Sequence, residues 1–176
     1  IEILTGNGDD SSRVWLLSST DDGKTWGNPD DITSTVKAKT WRWYTVGPGH
    51  AVALRHGPHK GRLVAAANHT DAEKGAGDHV LFSDDGGRTW QQGADDTPGG
   101  SDHPDENTVA ELADGTLVFI SRNQNEGATW HRLRATSTDG GETFATPYAP
   151  IEDLAVPVVQ GSTLFVERAE ALGRGT

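Results

Sequence analysis

The chain has no cysteine among its 176 residues. That excludes a disulfide framework, thiolate chemistry and any metal site built on cysteine sulfur. It has no long apolar run either: nothing approaches the ~18 residues that a membrane-spanning helix needs, so membrane insertion is not expected. Basic residues are in deficit, leaving a formal net charge of −11, which argues against nucleic acid or an anionic membrane as a partner held by bulk electrostatics. A small anion is not excluded, because a few convergent arginines can make a positive pocket on an acidic surface. Ile1 to Gly8 carry no secretion-signal pattern, and the chain is expected to open inside a fold.

Glycine is plentiful, at 22 residues, with 8 prolines spread along the chain and no long helical periodicity. This is the composition of many short strands joined by turns, and the length suits one ordinary domain. An all-β fold follows.

One stretch occurs three times: Ser19 to Trp26, Ser83 to Trp90 and Ser137 to Phe144 share the pattern Ser-x-Asp-x-Gly-x-Thr-(Trp or Phe). Apolar runs precede the copies at Val14 to Leu17, Val80 to Phe82 and Leu133 to Thr136. Each copy therefore reads as a strand entering a tight turn. Ser and Asp side chains can bond backbone amides there, Gly can take a positive φ, and the aromatic ring can anchor the turn on the sheet. The intervals of about 64 and 54 residues fit one four-stranded unit each.

Between the turns, Ala51 to Arg55 and Leu63 to Asn68 form one expected hairpin, followed by a strand at His79 to Phe82. Thr108 to Leu112 and Leu117 to Ser121 form the next, with Asp114-Gly115 as a two-residue turn, followed by a strand near His131 to Thr136. Ile1 to Ser12 is a polar lead-in, and Val159 to Val166 is expected to begin a further sheet. With the repeated turns at the bottom of each unit, the start of its first strand and the end of its second share the top. That places Glu106 near Arg122, the two-residue turn pairing Asn107 with Arg122. It also puts Gly47 to His50 at the top beside Asn68 to Thr70. Trp41, Trp43 and Tyr44 offer either a sugar platform or packing between units, and packing is favoured. His50, His69 and His103 lack ligand spacing and are expected as solvated loop residues, so no metal and no cofactor are expected.

The repeated turn resembles the Asp box (bacterial neuraminidase repeat) of sialidases. Three further segments are similar to sialidase sequences: Tyr44 to Leu54 around Gly47-Pro48-Gly49, Asp105 to Leu112 followed by Ser121-Arg122, and Gln160-Gly161-Ser162. The resemblance implies a partial six-bladed β-propeller of roughly three blades, each a four-stranded antiparallel sheet, with residues 1–176 as the central part of the domain. It implies a retaining exo-α-sialidase acting on terminal sialic acid of glycoconjugates through a tyrosine nucleophile. Matched residue by residue, Glu106 would activate the tyrosine, Arg122 would clamp the substrate carboxylate, and Asn68 would line the substrate pocket. Neither Tyr44 nor Tyr148 matches the nucleophile, and Arg168 does not match the third arginine of the family's triad. This span alone is therefore expected to be inactive, and marginally stable with both sheet faces uncovered. A secreted or cell-surface location follows from the resemblance only. Asp boxes also occur in propellers of other function. A non-catalytic module binding glycan or protein, a trans-sialidase, and a glycosidase acting on neutral glucans all stay open.

Overall fold

The computed structural model describes residues 1–7, 12–124 and 130–166. Its strands form three antiparallel sheets. The first has the order β1 (Glu2–Asn7), β2 (Ser12–Leu17) and β3 (Asp30–Asp31), followed by the short helix α1 (Thr33–Val36). The second runs β4 (Trp41–Val46), β6 (Leu63–Asp71), β7 (Gly75–Ser83), β8 (Gln91–Asp96), with β5 (Val52–Ala53) also on β6. The third runs β9 (Pro104–Glu111), β10 (Leu117–Asn123), β11 (His131–Ser137), β12 (Thr146–Ala155).

The sheets pack face to face, and alternation along the strands assigns each side chain to one junction. Val64, Ala66, Val80 and Phe82 of the second sheet meet Val109, Leu117, Phe119, Leu133 and Tyr148 of the third. On the opposite face, Tyr44, Ala65, Ala67 and Leu81 meet Val14, Leu16, Ile32 and Val36. The middle sheet is thus covered on both sides. That is why Leu63 to Ala67 and Val80 to Phe82 are unbroken apolar runs rather than apolar-polar alternations.

The repeated turns lie between β2 and β3, β7 and β8, and β11 and β12. All three are wired alike. The serine Oγ accepts the amide of the second glycine position (Gly23 2.9 Å, Gly87 2.8 Å, Gly141 2.9 Å) and donates to the aspartate two residues on. The aspartate accepts both the amide and the hydroxyl of the threonine: Thr25 at 2.9 and 2.6 Å, Thr89 at 2.9 and 2.7 Å, Thr143 at 3.0 and 2.5 Å. Trp26 and Trp90 close the turn by donating to the Gly23 and Gly87 carbonyls. Phe144, which has no such donor, packs edge-on against Phe119 and Tyr148. Asp22, with a φ of 59°, stands where the other copies have Gly86 and Gly140.

These bonds favour the ionised aspartate. Thr25, through its hydroxyl and then its amide, lowers Asp21 to about 2, and Thr89 acts in the same way on Asp85. A carboxylate depressed on folding stabilises the native state above its ordinary pKa of about 3.9, and that contribution disappears as pH falls through the folded value. Asp21→Asn is therefore expected to lose less stability than the parent chain between about pH 4 and pH 2. Urea unfolding across that range measures it, and an unchanged acid slope would contradict it.

Arg62, only 5% exposed, joins two of the boxes. It donates to both Asp84 oxygens at 2.8 Å, to Glu142 at 3.0 Å and to the Gly140 carbonyl at 3.2 Å, with its guanidinium 4.1 Å from the centre of the Phe82 ring. The variable positions of the second and third boxes are thus spent on locking adjacent sheets together.

Several expectations change. Glu2–Asn7 is a strand paired with β2, not a lead-in. The hairpin turn at Ala113, Asp114 and Gly115 has three residues, with Leu112 opposite Thr116 and Gly115 at φ 86°. A left-handed glycine after a type I turn gives this geometry, and it shifts the register so that Asn107 faces Ser121 rather than Arg122. Gly47 to His50 does not close the top of a sheet. It interrupts the first strand, β4 pairing up to Val46–Ala67 and β5 resuming at Val52–Val64. Val159 to Val166, expected to begin a further sheet, forms no strand, and the last strand among the described residues is Thr146–Ala155, the fourth of the third sheet. Arg168 lies outside the described residues.

Candidate active site

The end of β9–β10 away from the third box holds the charged residues. β9 runs regularly against β10 as far as the Asn107–Ser121 pair, and the next pair is Pro104–Asn123. Two residues of β9, Asp105 and Glu106, therefore oppose the single residue Arg122. In a regular strand consecutive side chains point to opposite faces; a β-bulge of this kind re-aims one of them. Both carboxylates reach the same guanidinium. Arg122 Nη1 donates to Glu106, and Nη2 lies 3.6 Å from Asp105 Oδ2. The three side chains are partly open to solvent, at 19% for Arg122, 28% for Asp105 and 30% for Glu106.

The bulge is held from inside. Ser121 Oγ accepts the Asp105 amide at 3.1 Å, and Asn123 accepts the His103 amide and donates to Asp102. The adjoining sheet contributes Asn68, 2% exposed, whose Nδ2 donates to Asp105 Oδ1 at 2.7 Å. Counted from the residues opposite the box serines, Leu63 opposite Ser83 and Leu117 opposite Ser137, Asn68 and Arg122 stand at the same step of their strands. Asn107 lies just below the site and donates to the Ala67 carbonyl at 3.0 Å and to the Tyr148 hydroxyl at 3.4 Å.

Burial raises the Asp105 carboxyl above the usual carboxylate range, with Arg122 pulling it down and Glu106 pushing it up. Deeper still, Asp78 on β7 is fully buried beside the polar side chains of Ser121, Asn107 and Tyr148, none of which makes a well-formed hydrogen bond to it. Burial pushes it well above the ordinary value. Arg132 on β11, which donates to the Gln160 carbonyl at 3.1 Å, feels the charges of both Arg122 and Glu106.

The structure thus brings Glu106, Arg122 and Asn68 together, linked through Asp105. Asp78, Arg132 and the role of Asp105 went unnoticed in the sequence. A charged residue inside an apolar strand, Asp78 before His79-Val80-Leu81-Phe82, was the available signal for the first. Nothing local marks the bulge. His69 is not a solvated loop residue: it is 1% exposed on β6, stacked on Trp41 at 3.7 Å, with Nδ1 3.1 Å from Nδ1 of His79. Burial lowers it to about 4. Trp41 and Tyr44 pack in this cluster, whereas Trp43 is 54% exposed. His50 and His103 are exposed. Among the described residues, no three His, Asp or Glu side chains are grouped to hold a metal ion.

Face-packed antiparallel sheets with a box turn between the third and fourth strands, and a charged cluster at the opposite end, are the blades of a β-propeller. The chain belongs to the BNR repeat-like domain family, whose model matches residues 3–171. Among its relatives, a sialidase of Micromonospora viridifaciens is 33% identical over 85% of this chain and 22% of its own length. An exo-alpha-sialidase of Arthroderma benhamiae is 33% identical over 86% of this chain and 32% of its own length. A Hadza microbial sialidase superimposes with a TM-score of 0.70 at 30% identity, over 85% of this chain and 27% of that one. A leech intramolecular trans-sialidase complexed with 2,7-anhydro-Neu5Ac does so with a TM-score of 0.67 at 27% identity, over 81% and 19%. The chain spans less than a third of the length of these relatives.

Proposed function

We propose that these residues are central blades of an exo-α-sialidase that removes terminal sialic acid from glycoconjugates with retention, and that Glu106 and Arg122 belong to its active site. The observation that carries this is the Glu106–Arg122 pair, opposed across a bulge at the end of the sheet away from the box, in a chain related to sialidases along most of its length.

The chemistry suits the substrate. The anomeric carbon of sialic acid bears a carboxylate, which repels a carboxylate nucleophile; a neutral tyrosine polarised by a nearby base attacks more readily. Glu106 is the base in this scheme, taking the phenolic proton as the oxygen bonds to the anomeric carbon, the leaving oxygen being protonated from elsewhere in the protein. Arg122 holds the substrate carboxylate with its planar fork, which lysine cannot match. Asn68 acts behind it, through Asp105.

The chain has two tyrosines, and neither can serve as nucleophile. Tyr44 is 1% exposed and donates to the Val36 carbonyl, Tyr148 is 5% exposed in the junction between sheets, and burial raises both hydroxyls well above their ordinary range. The nucleophile and the other carboxylate clamps are assigned to the remainder of a full-length sialidase. The test is release of fluorophore from an aryl sialoside by the full-length protein and by residues 1–176 alone. Turnover by the first only is expected; a full-length protein without turnover would favour a module that binds glycan or protein.

Likeness to intramolecular trans-sialidases supports a second reading of the same site. Product analysis separates them: free sialic acid marks the hydrolase, 2,7-anhydro-Neu5Ac the intramolecular transfer.

A further inference from the structure

The bulge in β9 confronts one arginine with two carboxylates, whereas a clamp for an anionic substrate needs only one to hold it in place. Glu106 already bonds Nη1 of Arg122. Asp105 adds a second carboxylate, 3.6 Å from Nη2. It cannot swing away freely, because Asn68 of the adjoining blade holds Oδ1 at 2.7 Å and Ser121 holds its backbone amide.

We propose that Asp105 is the residue that sets the affinity of Arg122 for the substrate carboxylate, acting as a charge counterweight fixed in place by Asn68. This rests on the sialidase reading above. With a proton on Asp105, Arg122 and Glu106 cancel and the incoming carboxylate meets a neutral pair. With the proton released to solvent, the cluster carries one net negative charge and opposes the anion.

The groups facing Asp105 pull in both directions. Burial and then the Glu106 charge on β9 favour its protonated form, whereas Arg122 on β10 and the hydrogen bond from Asn68 on β6 favour the ionised form. Asp78 on β7, itself held above the ordinary range, adds to the negative side if ionised. Arg132 on β11 bears on Arg122 and Glu106. The net displacement of Asp105 is upward, so it ionises at a higher pH than an ordinary surface aspartate does.

Because the substrate keeps its carboxylate throughout the reaction, a charge that opposes it acts about equally on the bound ground state and the transition state. The effect should appear in KM and not in kcat. The experiment is the pH dependence of KM and kcat for an aryl sialoside, measured on the full-length protein and its Asp105→Asn variant. The parent KM is expected to rise with pH. In Asp105→Asn, which keeps an oxygen for Asn68, the rise should disappear and KM at the alkaline end should fall by about five- to tenfold relative to the parent, a screened charge contact at a partly exposed site. Asp105→Ser, which needs no isosteric fit, must give the same flattening, and Asp105→Glu must restore the rise. A KM profile in Asp105→Asn or Asp105→Ser that follows the parent, or a loss confined to kcat, overturns the inference while leaving the sialidase reading intact. Absence of turnover from the unaltered full-length protein overturns that reading and this inference with it.

Discussion

Arg122→Ala in the full-length protein is expected to lower kcat/KM for an aryl sialoside by about a hundredfold or more, the scale of truncating one member of a hydrogen-bonded charge pair at a binding site. The loss has two sources. The cation that takes the substrate carboxylate is gone, and Asp105 and Glu106, which now face each other without it, repel the anion. Arg122→Lys keeps the charge but not the planar fork, so it should recover only part of the loss. Glu106→Gln should act differently. It leaves Arg122 in place with a neutral partner, so binding of an anion improves or holds while kcat collapses, because the group that accepts the tyrosine proton is missing. Initial-rate kinetics over a range of substrate concentration distinguish these patterns. If both variants stay within about threefold of the parent, Glu106 and Arg122 are an ordinary hairpin-mouth ion pair, of the kind that contributes little.

Gly93→Ala is expected to cost about 3 kcal/mol, at the upper end for overpacking, and so to lower the transition temperature of the full-length protein measurably. A Cβ at this position would stand 2.2 Å from the Gly141 carbonyl oxygen, across the junction where the Ala94 amide donates to the same oxygen at 2.9 Å. The obstacle is backbone, not a rotatable side chain. Relief requires the two blades to separate.

Gly47→Ala meets the same kind of barrier, 2.1 Å from the Asn107 carbonyl oxygen. Asn107 adjoins Glu106, so here a loss of activity in the folded fraction is expected along with the loss of stability. Gly57→Ala is the control. It has a positive φ of 68° but nothing within 4 Å of the added carbon, so only the backbone cost of about 1 kcal/mol applies. Scanning calorimetry of the three variants decides: similar transition temperatures would mean that the blade junctions tolerate displacement.

The box turns were legible because their hydrogen bonds close within eight consecutive residues. Ser83, Asp85, Gly87, Thr89 and Trp90 satisfy one another, so the pattern survives in the sequence wherever the turn is built. The inner strands β6, β7, β10 and β11 were legible for a similar reason, since apolar runs bounded by turn residues mark them directly, whereas the polar outer strands β1 and β12 carry no such run. Where the register of β9 on β10 was misread, the error began in a turn. Asp114-Gly115 looked like a two-residue loop, and the actual three-residue loop moved the pairing by one step. The expected nearness of Glu106 and Arg122 did not depend on that step, but the faces they occupy do.

What the amino-acid order determined by itself is the set of short-range structures: the apolar inner strands, three box turns and an all-β chain of repeated units. What only the tertiary structure decided are the contacts made across it. These include the bulge that turns Asp105 and Glu106 onto one arginine, the Asn68 amide that fixes Asp105 from the next blade, the Arg62 clasp between boxes, and the burial of His69 against Trp41. The division has a physical cause. Hydrogen bonds within a turn depend on a few neighbouring dihedral angles. Register and blade packing depend on residues tens of positions apart, brought together only when apolar faces are buried between sheets.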